Sequence, residues 1–154
     1  MNNAGTFESS EANRAVADRP QSTTIESSAL IQRWGGDPSV FVEGFLGVPN
    51  ILLQRMGTIG GDGITPTETI FLLQVMTFKW DEEAPYPSYS RISDQMGISE
   101  PYARKIARGL EDKGLLSRMK REGTTNKFDL SPLFEELSEI GGEMKEKGNS
   151  PLPF

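Results

Sequence analysis

Two short amphipathic helices joined by a tight turn in the middle of the chain most constrain what this sequence can fold into. Ser88 is placed to cap the first helix, and Gly97 suits the left-handed residue that ends it. Ser99 is placed to cap the second helix, which runs to Lys113. Pro101 is tolerated in its first turn because amides there have no partner within the helix. The sequence therefore predicts two successive helices separated by one turn.

The second of these helices has two chemically different sides. Its apolar residues recur at the i, i+3, i+4, i+7 spacing of a helix that packs on a core, and they are Ala103, Ile106, Ala107 and Leu110. Three cations fall on the other side: Arg104, Lys105 and Arg108. We expect one face of the helix in the core and a basic face in solvent.

A longer helix is predicted before this pair, and another at the end of the chain. Thr65 is placed to cap the longer one, and Glu68 is placed so that its carboxylate can accept a hydrogen bond from the amide of the cap residue. We expect this helix to stop near Trp80. The final helix opens at Ser131 and places apolar residues on one side as far as Met144.

The remaining segments are predicted from alternation and turn residues. Residues 115–121 and 126–130 are expected to form two strands joined by a turn at residues 122–125. Residues 40–45 are expected to form a short strand that is followed by a helix of one or two turns. Four glycines make residues 57–63 a flexible loop in this interpretation.

The polarity of the two ends sets the expected domain boundaries. Residues 1–38 contain few large apolar side chains, so burial there cannot offset the entropy of ordering the chain, and we expect a disordered or loosely ordered segment. The folded domain is then expected over residues 39–141, with a flexible tail over residues 142–154.

The charge of the chain is unevenly distributed. The net charge is −6, but residues 85–130 hold 9 basic and 6 acidic side chains, whereas acidic side chains outnumber basic ones both before and after this segment. Local charge governs contact with phosphate more than total charge does. The basic segment coincides with the predicted helix pair and hairpin.

Composition also excludes several classes of protein. Cysteine and histidine are both absent, which removes the usual zinc ligands and the commonest base and nucleophile pairs. We expect no enzyme activity, no metal and no cofactor. The apolar run at residues 70–78 is interrupted by Gln74 and Thr77 and is too short for a membrane span. No secretory signal is visible in residues 1–20, so we expect a cytoplasmic protein that does not bind membranes.

Two stretches resemble a known class of proteins. The turn Met96-Gly97-Ile98-Ser99 and the run at residues 110–116 resemble winged helix-turn-helix proteins. The continuation at residues 123–134 is similar to helix-turn-helix replication initiators and replisome organisers of plasmids, phages and other mobile elements. The similarity covers about residues 40–137. It implies a mainly α-helical α+β fold with a small β-hairpin wing, whose tip is the turn at residues 122–125.

Sequence-selective binding of double-stranded DNA is the function that this resemblance implies, in replication or in transcription regulation. A helix fits the major groove, so the exposed residues of the second helix can reach base edges. Arg104 is expected to donate hydrogen bonds to a guanine, and Glu100 to accept a hydrogen bond from a cytosine. Lys105 and Arg108 are expected to contact phosphates. The other predicted contact residues are Pro101 and Tyr102 on the same helix, Ser88 and Ser99 at the helix starts, and Arg118, Lys120, Arg121, Thr124 and Lys127 in the wing.

Other interpretations stay open at this stage. The basic stripe is also compatible with a solvated helix face, Tyr102 with packing on the preceding helix, and the wing charges with protection of a sheet edge. A winged-helix adaptor that binds proteins rather than DNA is the alternative function. Replication or transcription proteins and a second copy of the chain are further candidate partners, and a dimer would use the apolar side of residues 133–144 or residues 40–53.

Overall fold

The computed structural model describes residues 31–35, 37–79 and 81–148 of the chain. The chain divides into two units, Met1–Phe45 and Leu46–Phe154. Residues 1–30 of the predicted disordered or loosely ordered segment and residues 149–154 of the predicted tail lie outside the described residues.

The described part of the first unit contains two short helical stretches. Residues 31–34 are helical, and a 3-10 turn follows at Pro38–Phe41. Asp37 caps this turn, since its carboxylate accepts a hydrogen bond from the Ser39 amide at 2.8 Å. The strand predicted at residues 40–45 is wrong, because Pro38 begins a turn there and no strand partner lies beside it among the described residues.

The second unit begins with a short helix, α1 (Asn50–Gln54), and a loop that leads into α2 (Pro66–Met76). The loop at residues 57–63 packs on the core, since its Ile59 side chain is fully buried there. Gly63 has a φ of +81°, and a Cβ there would lie 2.7 Å from the Gly57 carbonyl carbon, so only glycine fits this close approach.

The capping box predicted for α2 is confirmed. The Thr65 hydroxyl accepts from the Glu68 amide at 3.1 Å, and the Glu68 carboxylate accepts from the Thr65 amide at 2.8 Å. Pro66 occupies the first turn, where its missing N–H costs nothing. The helix ends at Met76, earlier than predicted.

The predicted helix pair forms α3 (Tyr89–Met96) and α4 (Glu100–Asp112). Ser88 caps α3 by accepting from the Arg91 amide at 3.1 Å, and Gly97 ends it with a φ of +67°. Ser99 then caps α4 by accepting from the Tyr102 amide at 3.3 Å. The turn contains only Gly97, Ile98 and Ser99, which brings α3 and α4 into direct contact and lets α2 pack on both.

A two-stranded antiparallel hairpin follows, formed by β1 (Ser117–Met119) and β2 (Lys127–Asp129). Both strands are shorter than predicted. The register places Arg118 opposite Phe128, so these two side chains share one face of the hairpin. The Phe128 amide donates to the Pro85 carbonyl at 2.7 Å, which ties the segment before α3 to the edge of β2.

The last helix, α5 (Ser131–Glu146), starts as predicted and continues through Gly141 and Gly142. It therefore passes the predicted domain end at residue 141. Leu133 and Leu137, which the sequence also assigns to a dimer surface, are buried in the core of the chain itself. Side chains from α1, α2, α3, α4, the hairpin and α5 share this one core.

Aromatic rings connect the hairpin to the helices. The Phe128 ring meets the Phe71 ring edge-on at 6.1 Å between centroids, and it meets the Tyr89 ring in the same way at 5.5 Å. These contacts hold the hairpin against α2 and α3. Within the described part of the chain, no helix has the length and apolar character that crossing a membrane requires.

Candidate nucleic-acid interface

The outer face of α4 carries exposed cations, as its spacing predicts. The Ala103, Ile106, Ala107 and Leu110 side chains are buried, whereas Arg104, Lys105 and Arg108 are exposed. Among the described residues, no ion pair or side-chain hydrogen bond engages Lys105 or Arg108. Their charges are therefore available to a partner.

Arg104 is exposed but already oriented by its neighbours. Its guanidinium is paired with the Glu100 carboxylate one helical turn earlier, and its central carbon lies 4.5 Å from the centre of the Tyr89 ring. A carboxylate and an aromatic face together hold the guanidinium in one place. Contact with a guanine would have to replace or share the bond to Glu100.

A cleft of about 460 Å³ brings several predicted contact residues together. Its walls come from the start of α3, the start of α4 and the turn of the hairpin. Four of the predicted contact residues line it, namely Ser88, Glu100, Arg104 and Thr124. The other lining residues are Pro87, Tyr89, Ser90, Gly123, Thr125 and Asn126. The cleft lies between α4, the helix predicted to contact bases, and the hairpin predicted to form the wing.

The serines at the two helix starts serve first as caps. The hydroxyl oxygens of Ser88 and Ser99 accept from amides of their own helices. Each hydroxyl keeps its hydrogen for donation, so capping and contact with a phosphate oxygen are compatible. Pro101 and Tyr102 follow on the exposed first turn of α4, and 42% of the surface of Tyr102 is accessible.

Lys120 and Arg121 are the exposed cations of the hairpin. The guanidinium of Arg121 lies 5.2 Å from the centre of the Tyr86 ring. The Thr125 hydroxyl donates to the Tyr86 carbonyl at 3.0 Å. Both contacts fix the turn of the hairpin relative to the segment that precedes α3.

Arg118 and Lys127, also predicted as contact residues, are engaged within the protein. Arg118 donates to the Glu111 carboxylate at 2.5 Å and to the Tyr89 hydroxyl at 3.0 Å. Lys127 donates to the Glu83 carboxylate at 3.1 Å. Arg118 turns inward because it shares a hairpin face with Phe128, and its side chain is only 23% exposed.

The Arg118 pair changes the titration of its acidic partner. Hydrogen bonds from Arg118 hold the pKa of Glu111 below its ordinary value, although partial burial acts in the opposite direction. The same bond to Glu111 raises the pKa of Arg118, with a further contribution from Tyr89. Arg118 stays charged, and its charge is matched inside the fold.

Tyr89 and Glu111 are the residues of this region that sequence reasoning missed. The role of Tyr89 depends on distant partners, since it meets Arg118 and Phe128. Glu111 is only seven residues from its partner Arg118, but the two lie in different elements, α4 and β1, so no helical or strand spacing relates them. The one local signal is that Tyr89 directly follows the cap of α3. Within residues 31–35, 37–79 and 81–148, no cluster of three or more carboxylates is placed to hold a metal ion.

Comparison with known proteins identifies the fold. Residues 62–116 match the family model described as a helix-turn-helix domain. The N-terminal domain of the DnaD protein from Geobacillus kaustophilus superposes with a TM-score of 0.53 at 21% identity, covering 79% of this chain and 97% of that one. The fold is a winged helix-turn-helix. The mainly α-helical class with a hairpin wing, predicted from the sequence, is confirmed.

The helix-turn-helix match spans α2, α3 and α4 and ends just before the wing. The YusO protein from Bacillus subtilis is also similar, with a TM-score of 0.38 and 16% identity over 90% of this chain and 81% of that one. No curated protein sequence matches the chain. In this winged helix-turn-helix, α4 is the second helix of the helix-turn-helix and is called the reading helix below, and β1 and β2 form the wing.

Proposed function

We propose that this winged helix-turn-helix protein binds double-stranded DNA and prefers particular sequences. The observation that carries the proposal is the pair of exposed cations Lys105 and Arg108 on the outer face of α4, which form no ion pair with any residue that the structure describes. Lys120 and Arg121 on the wing extend the same charge across the cleft. A helix about ten to twelve ångströms across enters the major groove, which leaves the wing beside the backbone or the minor groove.

The cations of this region fall into two groups, those paired with carboxylates of the protein and those exposed on the proposed DNA-binding surface. Nine cations lie in residues 85–130, and four of them form ion pairs with carboxylates that the structure describes: Arg104, Lys113, Arg118 and Lys127. Of these four, only Arg104 is placed on the exposed face of α4. The cations proposed to neutralise phosphates are therefore Lys105, Arg108, Lys120 and Arg121.

Recognition of bases is assigned to the start of α4. Arg104 donates to a guanine and Glu100 accepts from a cytosine, and their mutual bond orients both side chains before DNA arrives. The ion pair between Arg104 and Glu100 also lowers the net gain from binding, because it is weakened when the two side chains contact bases. Selectivity then depends on both residues, whereas Lys105 and Arg108 contribute to binding of any duplex.

A biological role in replication initiation or organisation, or in transcription regulation, follows from the resemblance at residues 123–134. One reading helix covers only a few base pairs, so we infer that the protein acts as a dimer on two half-sites about ten base pairs apart. Since Leu133 and Leu137 belong to the core, the dimer uses another surface. The genomic position of the selected site distinguishes replication from regulation.

Selection from a random duplex pool tests the proposal. We expect enrichment of one sequence, for which Arg104→Ala lowers both affinity and preference. Lys120→Ala is expected to weaken binding to selected and scrambled duplexes alike, and Lys145→Ala on α5 serves as a control of equal charge change. Equal binding of all duplexes by the wild type would contradict sequence selectivity.

A winged-helix adaptor that binds proteins is the second candidate. The net charge of −6 favours it, as does the pairing of Arg104 with Glu100. Fluorescence anisotropy with random duplex DNA at low salt separates the two candidates. Absence of binding at protein concentrations of tens of micromolar would favour the adaptor.

A further inference from the structure

Tyr89 lies between the two elements that are proposed to contact DNA. It is the first residue of α3, and only 6% of its surface is exposed. Its ring meets the Phe128 ring edge-on, at an interplanar angle of 82°. This contact fixes the plane of the tyrosine ring relative to the wing strand β2.

The face of the Tyr89 ring supports Arg104. The guanidinium carbon of Arg104 lies 4.5 Å from the ring centre, which is within range of an attractive cation–π contact. Glu100 holds the same guanidinium from its own helix. Without these two contacts, a long and half-exposed side chain such as Arg104 would lose rotamer freedom on binding a base. The two contacts restrict it before binding and so reduce that entropy cost.

The hydroxyl of the same tyrosine supports the wing. It accepts from a terminal nitrogen of Arg118 at 3.0 Å, while Glu111 accepts from the other terminal nitrogen at 2.5 Å and from the Arg118 amide at 2.9 Å. The Nε atom of Arg118 is buried without a hydrogen-bond partner among the described residues. The position of Arg118 in β1 therefore depends on Tyr89 and Glu111.

We propose that Tyr89 is a positioning residue for DNA recognition, whose ring orients Arg104 on the reading helix and whose hydroxyl holds the wing through Arg118. The proposal rests on the DNA-binding function proposed above and adds a specificity-determining residue to it. Tyr89 touches no base or phosphate itself. The ring of Tyr89 acts on the reading helix and its hydroxyl acts on the wing, so substitutions can remove one contact without the other.

Arginine side-chain NMR of the free protein tests the orientation directly, without DNA. Tyr89→Phe keeps the ring, so the Nε–H signal of Arg104 should stay in place while that of Arg118 shifts. Tyr89→Leu removes the ring, so both signals should shift and Arg104 should become more mobile. An Arg104 signal that is unchanged in Tyr89→Leu would overturn the proposal, and so would an unchanged Arg118 signal in Tyr89→Phe.

DNA binding by the same variants tests the consequence for recognition. Tyr89→Leu should reduce the ratio of affinities for selected and scrambled duplexes by about two- to fivefold, in the direction of Arg104→Ala. Tyr89→Phe should keep that ratio and weaken binding to both duplexes by about two- to tenfold. A purely structural role would lower the folded fraction without changing the ratio, and that result would contradict the proposal.

The two experiments separate this inference from the function on which it rests. If the wild type binds no duplex, the DNA-binding proposal fails, and the role of Tyr89 in recognition falls with it, whatever the NMR result. If the wild type binds selectively and the ratio is the same in Tyr89→Leu, only the positioning role fails. Tyr89→Phe keeps the core ring and guards against loss of folding in the leucine variant.

Discussion

The Nζ atom of Lys113 lies 2.7 Å from the Glu68 carboxylate and so joins the end of the reading helix to the start of α2. The same ammonium donates to the Gly63 carbonyl at 3.0 Å. Glu68 is also the capping-box residue of α2. One lysine thus fixes the relative placement of two helices and a loop.

Substitution of this lysine is expected to lower stability. Lys113→Met removes one hydrogen bond to the mostly buried Glu68 carboxylate and one to the Gly63 carbonyl, and it should cost about 1–2 kcal/mol of unfolding free energy. Lys147→Met breaks an exposed pair with Glu143 whose atoms are 3.7 Å apart, and it should cost less than about 0.5 kcal/mol. Urea unfolding of both variants measures the difference, and equal losses would contradict the role given to Lys113.

Stability is expected to fall in acid. Partial burial alone raises the pKa of Glu68, but Lys113 and Thr65 outweigh it, so this pKa lies below the ordinary 4.5. The pKa of Glu111 is lowered chiefly by Arg118. Since both carboxylates bind protons less readily in the folded state, their contribution is complete above about pH 4.5 and is lost as pH falls through the folded pKa values.

Unfolding free energies measured between pH 7 and pH 3 check this dependence. Glu111→Gln should be less stable than the wild type at pH 7, with a shallower decline in acid because one of the shifted groups is gone. An identical slope in the variant would show that the Glu111 pair contributes nothing to the pH dependence.

Two glycines are expected to respond to alanine in opposite directions. Gly97 has a φ of +67° at the turn between α3 and α4, so Gly97→Ala should destabilise by about 1 kcal/mol although no atom blocks a Cβ there. Gly142 lies inside α5 with open space at the Cβ position, so Gly142→Ala should stabilise by about 0.5–1 kcal/mol. Thermal unfolding of both variants gives the sign, and a stabilising Gly97→Ala would contradict the turn geometry.

The wing depends on one buried aromatic residue. Phe128 is fully buried between the Phe71 and Tyr89 rings, so Phe128→Ala should cost about 3–5 kcal/mol through the cavity that it leaves. Phe134→Ala, at a position 38% exposed, is the control and should cost clearly less. Equal losses in calorimetry would mean that the hairpin does not pack on the core through Phe128.

The helices were predictable because their signals are local. The Thr65 capping box, the Ser88 and Ser99 caps and the glycine after α3 each act within four residues, so the sequence indicates where helices begin and end. The ends of α2 and α5 were less accurate, since packing decides how far an uncapped helix continues.

The wing was less predictable because its geometry depends on register. Alternation indicated that Phe128 and Leu130 share a face, and both are buried. No local pattern shows that Arg118 lies opposite Phe128, and the inward position of Arg118 follows from that pairing. Its partners Tyr89 and Glu111 come from two different helices, so its structural role emerges only in three dimensions.

Binding of duplex DNA by the outer face of α4 is the central claim, and salt dependence of binding tests it most directly. Fluorescence anisotropy would compare the wild type with Lys105→Ala/Arg108→Ala and with the control Lys145→Ala/Lys147→Ala on α5. We expect steep weakening with salt for the wild type and a slope of log Kd against log salt that is smaller by about 1.8 in the first double variant, at about 0.9 for each phosphate that is no longer neutralised. The control should keep the wild-type slope, whereas equal slopes for all three proteins, or no binding by the wild type, would contradict the claim.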